Sequence, residues 1–201
     1  MMIWSHEDRL YEITGGFSLP DDAWQYELVG LTGSPGTGPY LTVTIPDSVV
    51  DGPFTPKAAE HATVHAGGGV VPWPILAQFV DMLDASGDLV EEQRDPSPES
   101  ALPLTLNVWG HGERQFTVNS FHLCGDGDWC YELFEMLPAS DRNDYLEVRI
   151  PDASPDHGPF VPMHANHVTL TMHGRWNIPW PIFRRLLDAI RAAGDVGVVE
   201  S

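Results

Sequence analysis

Tyr40-Leu-Thr-Val-Thr-Ile-Pro-Asp47 returns, 105 residues later, as Tyr145-Leu-Glu-Val-Arg-Ile-Pro-Asp152. At the same offset Trp24-Gln-Tyr-Glu-Leu28 returns as Trp129-Cys-Tyr-Glu-Leu133, and ten of the 24 positions from Trp24 to Asp47 are identical. Chance at average residue frequencies gives about one or two. A repeat of this length decides how the rest of the chain is read, because each copy must select the same elements.

Working outward, Gly52-Pro-Phe54 matches Gly158-Pro-Phe160, Pro72-Trp-Pro-Ile75 matches Pro179-Trp-Pro-Ile182, and Gly87-Asp88 matches Gly194-Asp195. The offset grows to 107, so the copies differ by small loop insertions. Towards the N-terminus Trp4-Ser-His6-Glu-Asp-Arg9 matches Trp109-Gly-His111-Gly-Glu-Arg114. The sequence thus divides into a first unit, residues 1–90, an acidic Pro/Ser linker, 91–102, and a second unit, 103–201.

Leu41, Val43 and Ile45 alternate with Tyr40, Thr42 and Thr44, and Leu146, Val148 and Ile150 alternate with Tyr145, Glu147 and Arg149. Period two predicts strands with one buried face. The same alternation runs through Ala62, Val64 and Ala66, and through Val168, Leu170 and Met172. Ile75, Leu76, Phe79, Val80 and Leu83 recur instead at helical spacing, as do Ile182, Phe183, Leu186, Leu187 and Ile190. Each series opens at a proline and closes near a glycine, which predicts one amphipathic helix per unit. With a hairpin around His6 and another around His111, the expected fold is α+β: an internal duplication of about five antiparallel strands followed by one helix, related by a pseudo-twofold axis, with each sheet covered by its helix. Trp24 is then expected on Trp129, Tyr40 on Tyr145 and Trp73 on Trp180. Short apolar sheet faces favour intimate packing of the units.

The chain has 201 residues, 42% of them hydrophobic and 19% charged, which is the composition of a globular protein rather than a disordered one. Ten Lys and Arg stand against 29 Asp and Glu, a net charge of −19. That field repels nucleic-acid phosphates and anionic lipid, so no nucleic-acid or membrane partner is expected. No signal peptide or membrane span is legible, and a cytoplasmic protein is expected. Cys124 and Cys130 are expected reduced in that compartment.

No mechanistic motif passes inspection. Thr32-Gly-Ser34-Pro-Gly36 has Thr at the first position of a nucleophile elbow and nothing after it that reads as the required helix, and the only lysine, Lys57, is preceded by Pro56 rather than set in a phosphate loop. Cys124-Gly-Asp126-Gly-Asp128 lacks the spacing of a calcium loop. His61 and His65 lie about 13 Å apart if their segment is a strand, too far for one zinc ion. A metal site would need His61, His164 and His173 to converge from antiparallel strands of both units; no metal and no cofactor are expected.

Two groups remain as binding candidates. Trp4, His6 and Arg9, with Trp109, His111 and Arg114, form two hairpins in which Arg stacks on Trp, or else two recognition loops, since exposed Trp and Arg are common interface anchors. Asp81, Asp84 and Asp88 share one side of the first helix, and Glu91, Glu92, Asp95 and Glu99 carry the charge into the linker. Residues 1–100 hold 16 acidic and 3 basic side chains against 13 and 7 in the remainder. The expected function is an acidic, non-enzymatic binding protein that masks a basic protein partner, of the immunity-protein, antitoxin or inhibitor type. A hydrolase or metal-dependent enzyme with a His/carboxylate site between the units, and a structural or assembly subunit, are the alternatives.

Overall fold

The alternating stretch that opened the sequence is a strand in both copies. The computed structural model describes residues 1–32, 40–49, 51–90, 107–123, 127–136, 144–154 and 158–196. In chain order the first half forms β1 (Met2–His6), β2 (Arg9–Ser18), β3 (Ala23–Gly30), β4 (Leu41–Pro46), β5 (Thr63–Ala66), β6 (Gly69–Pro72) and helix α1 (Trp73–Ser86). The second half forms β7 (Asn107–His111), β8 (Arg114–His122), β9 (Trp129–Glu135), β10 (Tyr145–Ile150), β11 (Thr169–His173), β12 (Trp176–Pro179) and helix α2 (Trp180–Ala193).

Twelve strands build two antiparallel sheets, in the orders β1-β2-β3-β4-β5-β12 and β6-β11-β10-β9-β8-β7. Equivalent residues occupy equivalent registers: Trp24 pairs with Ile45 and Trp129 with Ile150, Tyr26 with Val43 and Tyr131 with Val148. Leu41, Val43 and Ile45, like Leu146, Val148 and Ile150, are fully buried, so the period-two pattern does mark the core face.

Each half has six strands rather than five, and the additional strand leaves its own half. β6 pairs with β11, Val71 opposite Leu170, while β12 pairs with β5, Ile178 opposite Val64. Four residues ending in proline are too short to show a period. Pro72 and Pro179 are tolerated because β6 and β12 are edge strands, where a missing N–H leaves no interior ladder position unfilled. The strand connections turn through Gly68 at φ +96° and Gly174 at φ +86°, a left-handed conformation that side-chain-bearing residues rarely adopt. The crossings lie close together: a Cβ on Gly68 would sit 3.8 Å from the Gly174 carbonyl oxygen.

The helices follow the exchanged strands. The Trp73 amide donates to the Val168 carbonyl at 2.8 Å and the Trp180 amide to the Ala62 carbonyl at 2.9 Å, so each helix starts on the opposite half. Pro74 and Pro181 fit the first turn, and Gly87 and Gly194 end the helices in the left-handed region. Each helix then runs back to its own half, where Tyr26 donates to Asp88 at 2.5 Å and Tyr131 donates to Asp195. Each helix thus starts against a strand segment of the other half and ends against its own. Leu76, Phe79 and Leu83 of α1 and Phe183, Leu187 and Ile190 of α2 share one continuous core with both sheets. Trp73 and Trp180 are buried at its helix starts. Among the described residues no helix is long and apolar enough to cross a membrane.

Candidate functional site

The repeated motifs hold the fold together. Trp24 packs on Phe54 with ring centroids 5.7 Å apart, and Trp129 on Phe160 at 5.9 Å, which joins the Trp-x-Tyr-Glu-Leu strand to the Gly-Pro-Phe loop in each half. Asp47 is buried and accepts from the Val49 and Thr55 amides at 3.0 Å. Asp152 accepts from the Ser154 hydroxyl at 2.7 Å and from the Val161 and Ser154 amides, and these hydrogen bonds, the hydroxyl's first, hold its carboxyl below the usual range. Carboxylates used this way are loop staples.

The acidic strip of α1 faces α2. Arg184 donates from Nη1 to both carboxylate oxygens of Asp84, at 2.8 and 2.6 Å, and from Nε to Asp188 at 3.2 Å. Arg191 stands 4.0 Å from Asp81 and 3.8 Å from Asp188. These contacts run antiparallel, Asp84 with the earlier arginine and Asp81 with the later one. The charge asymmetry between the halves has a physical reason here: at adjoining positions one helix carries Asp and the other Arg. Asp84 is 44% exposed and Asp81 73%, so Asp81 is the helical carboxylate most open to solvent. Asp88 is held by Tyr26. Glu91, Glu92, Asp95 and Glu99 lie outside the described residues.

The hairpin candidates divide unevenly. Trp4 is half-buried against the core, His6 pairs with Arg9 at the end of the β1–β2 hairpin, and Arg9 is exposed. Trp109 is buried beneath Arg185 of α2, whose guanidinium lies 4.7 Å from the ring centroid. Arg114 instead lies 5.0 Å from the Phe116 centroid, forms a two-pronged ion pair with Glu135 at 2.8 and 2.7 Å, and donates to the Asn177 carbonyl at 2.7 Å. The expected stacking of Arg114 on Trp109 is thus replaced by a link between β8 and the exchanged strand β12. A guanidinium with five donors is better satisfied by a carboxylate and a carbonyl than by an indole face. His111 is half-buried in the β7–β8 hairpin.

The histidines do not converge. β5 and β11 lie in different sheets, so the pairing that would bring His61 to His173 does not occur. His61 lies 3.6 Å from Glu60, and His164 Nδ1 accepts from the Asn166 amide to cap the 3-10 turn Ala165–His167. His173 stacks on Tyr145 at 4.1 Å with Nε2 3.6 Å from Glu147. Among the described residues no three His, Cys, Asp or Glu side chains are grouped to hold a metal ion.

Sequence reasoning missed one cluster, on the outer face of the second sheet. Register places Glu132 of β9 opposite Glu147 of β10. Arg149 Nε donates to Glu147 at 3.2 Å, and its Nη1 lies 3.7 Å from Asp128. Burial, and then the charge of Glu147, push the Glu132 carboxyl above its usual range. On the same face the buried Cys130 thiol is pushed up to about 11 by burial, with Glu147 adding to it, which leaves it protonated and unreactive at neutral pH. Cys124 lies outside the described residues. The alternation of β10 marked Glu147 and Arg149 as polar-face residues, but only the strand register joins them to Glu132. Arg149 and His173 both lie against Glu147. The chain has no match among protein-family models, curated proteins or solved structures.

Proposed function

We propose that this chain is an acidic, non-enzymatic binding protein that masks a basic protein partner, of the immunity-protein, antitoxin or inhibitor type. One observation carries the reading: Arg114, Arg149, Arg184 and Arg191 each lie against carboxylates of their own chain, in a sequence with 29 acidic and ten basic side chains. Positive charge is spent internally, so the field offered to a partner is negative. The partner surface comprises Asp81 and Asp84 of α1, Asp88, which lies beyond the Gly87 cap rather than on the helix face, and Glu91, Glu92, Asp95 and Glu99 of the linker. Because Asp84 and Asp88 already have internal partners, Asp81 and the four linker carboxylates supply most of the attraction. The protein is cytoplasmic in this reading. It is also an internal duplication with a pseudo-twofold axis, supported by the ten identities from Trp24 to Asp47 and by equal strand orders in which each half donates its sixth strand.

The test starts by capturing the partner on immobilised full-length protein at low salt and identifying it by mass spectrometry. Stopped-flow association is then measured with the wild type and with a variant carrying Asp81→Asn, Glu91→Gln, Glu92→Gln, Asp95→Asn and Glu99→Gln. Association should slow several-fold in the variant and fall steeply with salt in the wild type, because exposed charges are screened beyond about 8 Å at physiological ionic strength. Unchanged rates would remove this surface from the reading, and a partner with an acidic surface would end the reading itself.

A further inference from the structure

The four sheet edges are treated differently by this fold. On the β12 edge the Asn177 carbonyl accepts from Arg114 at 2.7 Å, and on β6 the Tyr40 ring lies over the face at Gly69, where an added Cβ would come within 2.7 Å. β1 is paired only with β2 among the described residues. Its sequence, Met2-Ile-Trp-Ser-His6, contains no Lys, Arg, Asp, Glu or Pro, so it lacks the usual devices that blunt an edge.

The register shows which backbone groups are offered. The Leu10 amide donates to Thr32 Oγ1 and its carbonyl accepts from the Leu31 amide, so both Leu10 groups point towards the β3 side. Leu10 opposes Ser5, and antiparallel pairs alternate, so the N–H and C=O of Ser5 and Ile3 point away from β2 to the outer edge. Beside that edge Ile3 is 55%, Leu10 41% and Leu31 47% exposed, an apolar strip on one face. Glu7 and Asp8 in the turn and Glu12 opposite Ile3 flank it, with Arg9 the one basic residue of the hairpin. The β7 hairpin differs: Gln115 stands where β2 has Leu10, and Arg185 lies across Trp109.

We propose that the β1 edge takes up an extended segment of the basic partner, which adds as a strand through the N–H and C=O groups of Ile3 and Ser5. Its apolar residues cover Ile3 on the outer face, and Lys or Arg residues at the turn end of the segment answer Glu7 and Asp8. This rests on the reading of the chain as an acidic binding protein and names how that binding occurs: backbone hydrogen bonds hold the strand, and alternate side chains select it. Trp4, half-buried against the core, then anchors the receiving strand from beneath.

The probes are two nine-residue peptides, one alternating lysine and valine and one alternating glutamate and valine, titrated into the full-length protein with amide hydrogen exchange followed by NMR. The lysine peptide should slow exchange of the Ile3 and Ser5 amides at least tenfold, with Trp4 and His6 unaffected, and the glutamate peptide should not. Ser5→Pro, which removes an outward N–H, and Ile3→Lys, which leaves the backbone intact and adds repulsion, should each weaken lysine-peptide binding at least tenfold. Binding without protection of Ile3 and Ser5, equal binding of the two peptides, or no binding overturns the edge-docking proposal; the partner association rates described above judge the broader reading separately. Protection that rises with protein concentration without peptide would show a second copy as the occupant, and protection at every concentration would show that the chain covers its own edge. Either result overturns the proposal.

Discussion

Glu132 and Glu147 face each other across two strands, and burial, with the charge of Glu147 added, raises the Glu132 pKa. A folded pKa above the unfolded value means that the native state binds more protons between the two values, so stability falls as pH rises through that interval. The penalty is absent below the ordinary glutamate range and complete above the raised value. Glu132→Gln should therefore raise the thermal midpoint at pH 7 and leave it unchanged at pH 3, as calorimetry at the two pH values would show. Neither carboxylate was legible as part of a pair in the sequence, because strand register is a property of two segments at once. Trp24, Tyr26, Asp47, Phe54 and Asp88 were legible as a repeated set. That they are tie points between loops, strands and helix ends, rather than a site, appears only from their contacts.

At the scale of elements the helical face was readable from spacing alone. Leu187 is fully buried and Gln78 exposed. Leu187→Ala should cost on the order of 2–5 kcal/mol and Gln78→Ala less than about 0.5 kcal/mol in urea unfolding, the difference between a core cavity and a solvated surface. The α1–α2 contact depends on charges instead. Asp84→Ala, Arg184→Ala and the double variant should give a coupling energy of about 0.2–1 kcal/mol at low salt, shrinking at 1 M salt, since both side chains are partly exposed and screened. A coupling near zero at low salt would show that the pair is geometric only. The sequence showed carboxylates along one side of the first helix but not that α2 arginines adjoin them, because helix adjacency is set by the strands that lead into the helices.

For the molecule as a whole, strand exchange makes the halves dependent on each other. A chain cut at a protease site inserted between Arg94 and Asp95 should elute from size exclusion as one species of the uncut size, and its fragments should part only at denaturant concentrations that unfold the core. Separation under native conditions would contradict the exchange of β6 and β12. The sequence by itself determined the repeated strand motifs, the buried faces of β4, β5, β10 and β11, both helices with their proline starts and glycine ends, and the excess of negative charge. Each follows from local periodicity, backbone preference or counting. The tertiary structure alone decided that β6 and β12 cross between halves, that α1 aspartates meet α2 arginines, that His61 and His173 lie on strands of different sheets or beside them, and that β1 pairs with β2 alone among the described residues. These are pairings between segments distant in the chain, chosen by which apolar faces bury one another and which backbone groups find partners, and no local pattern encodes that choice.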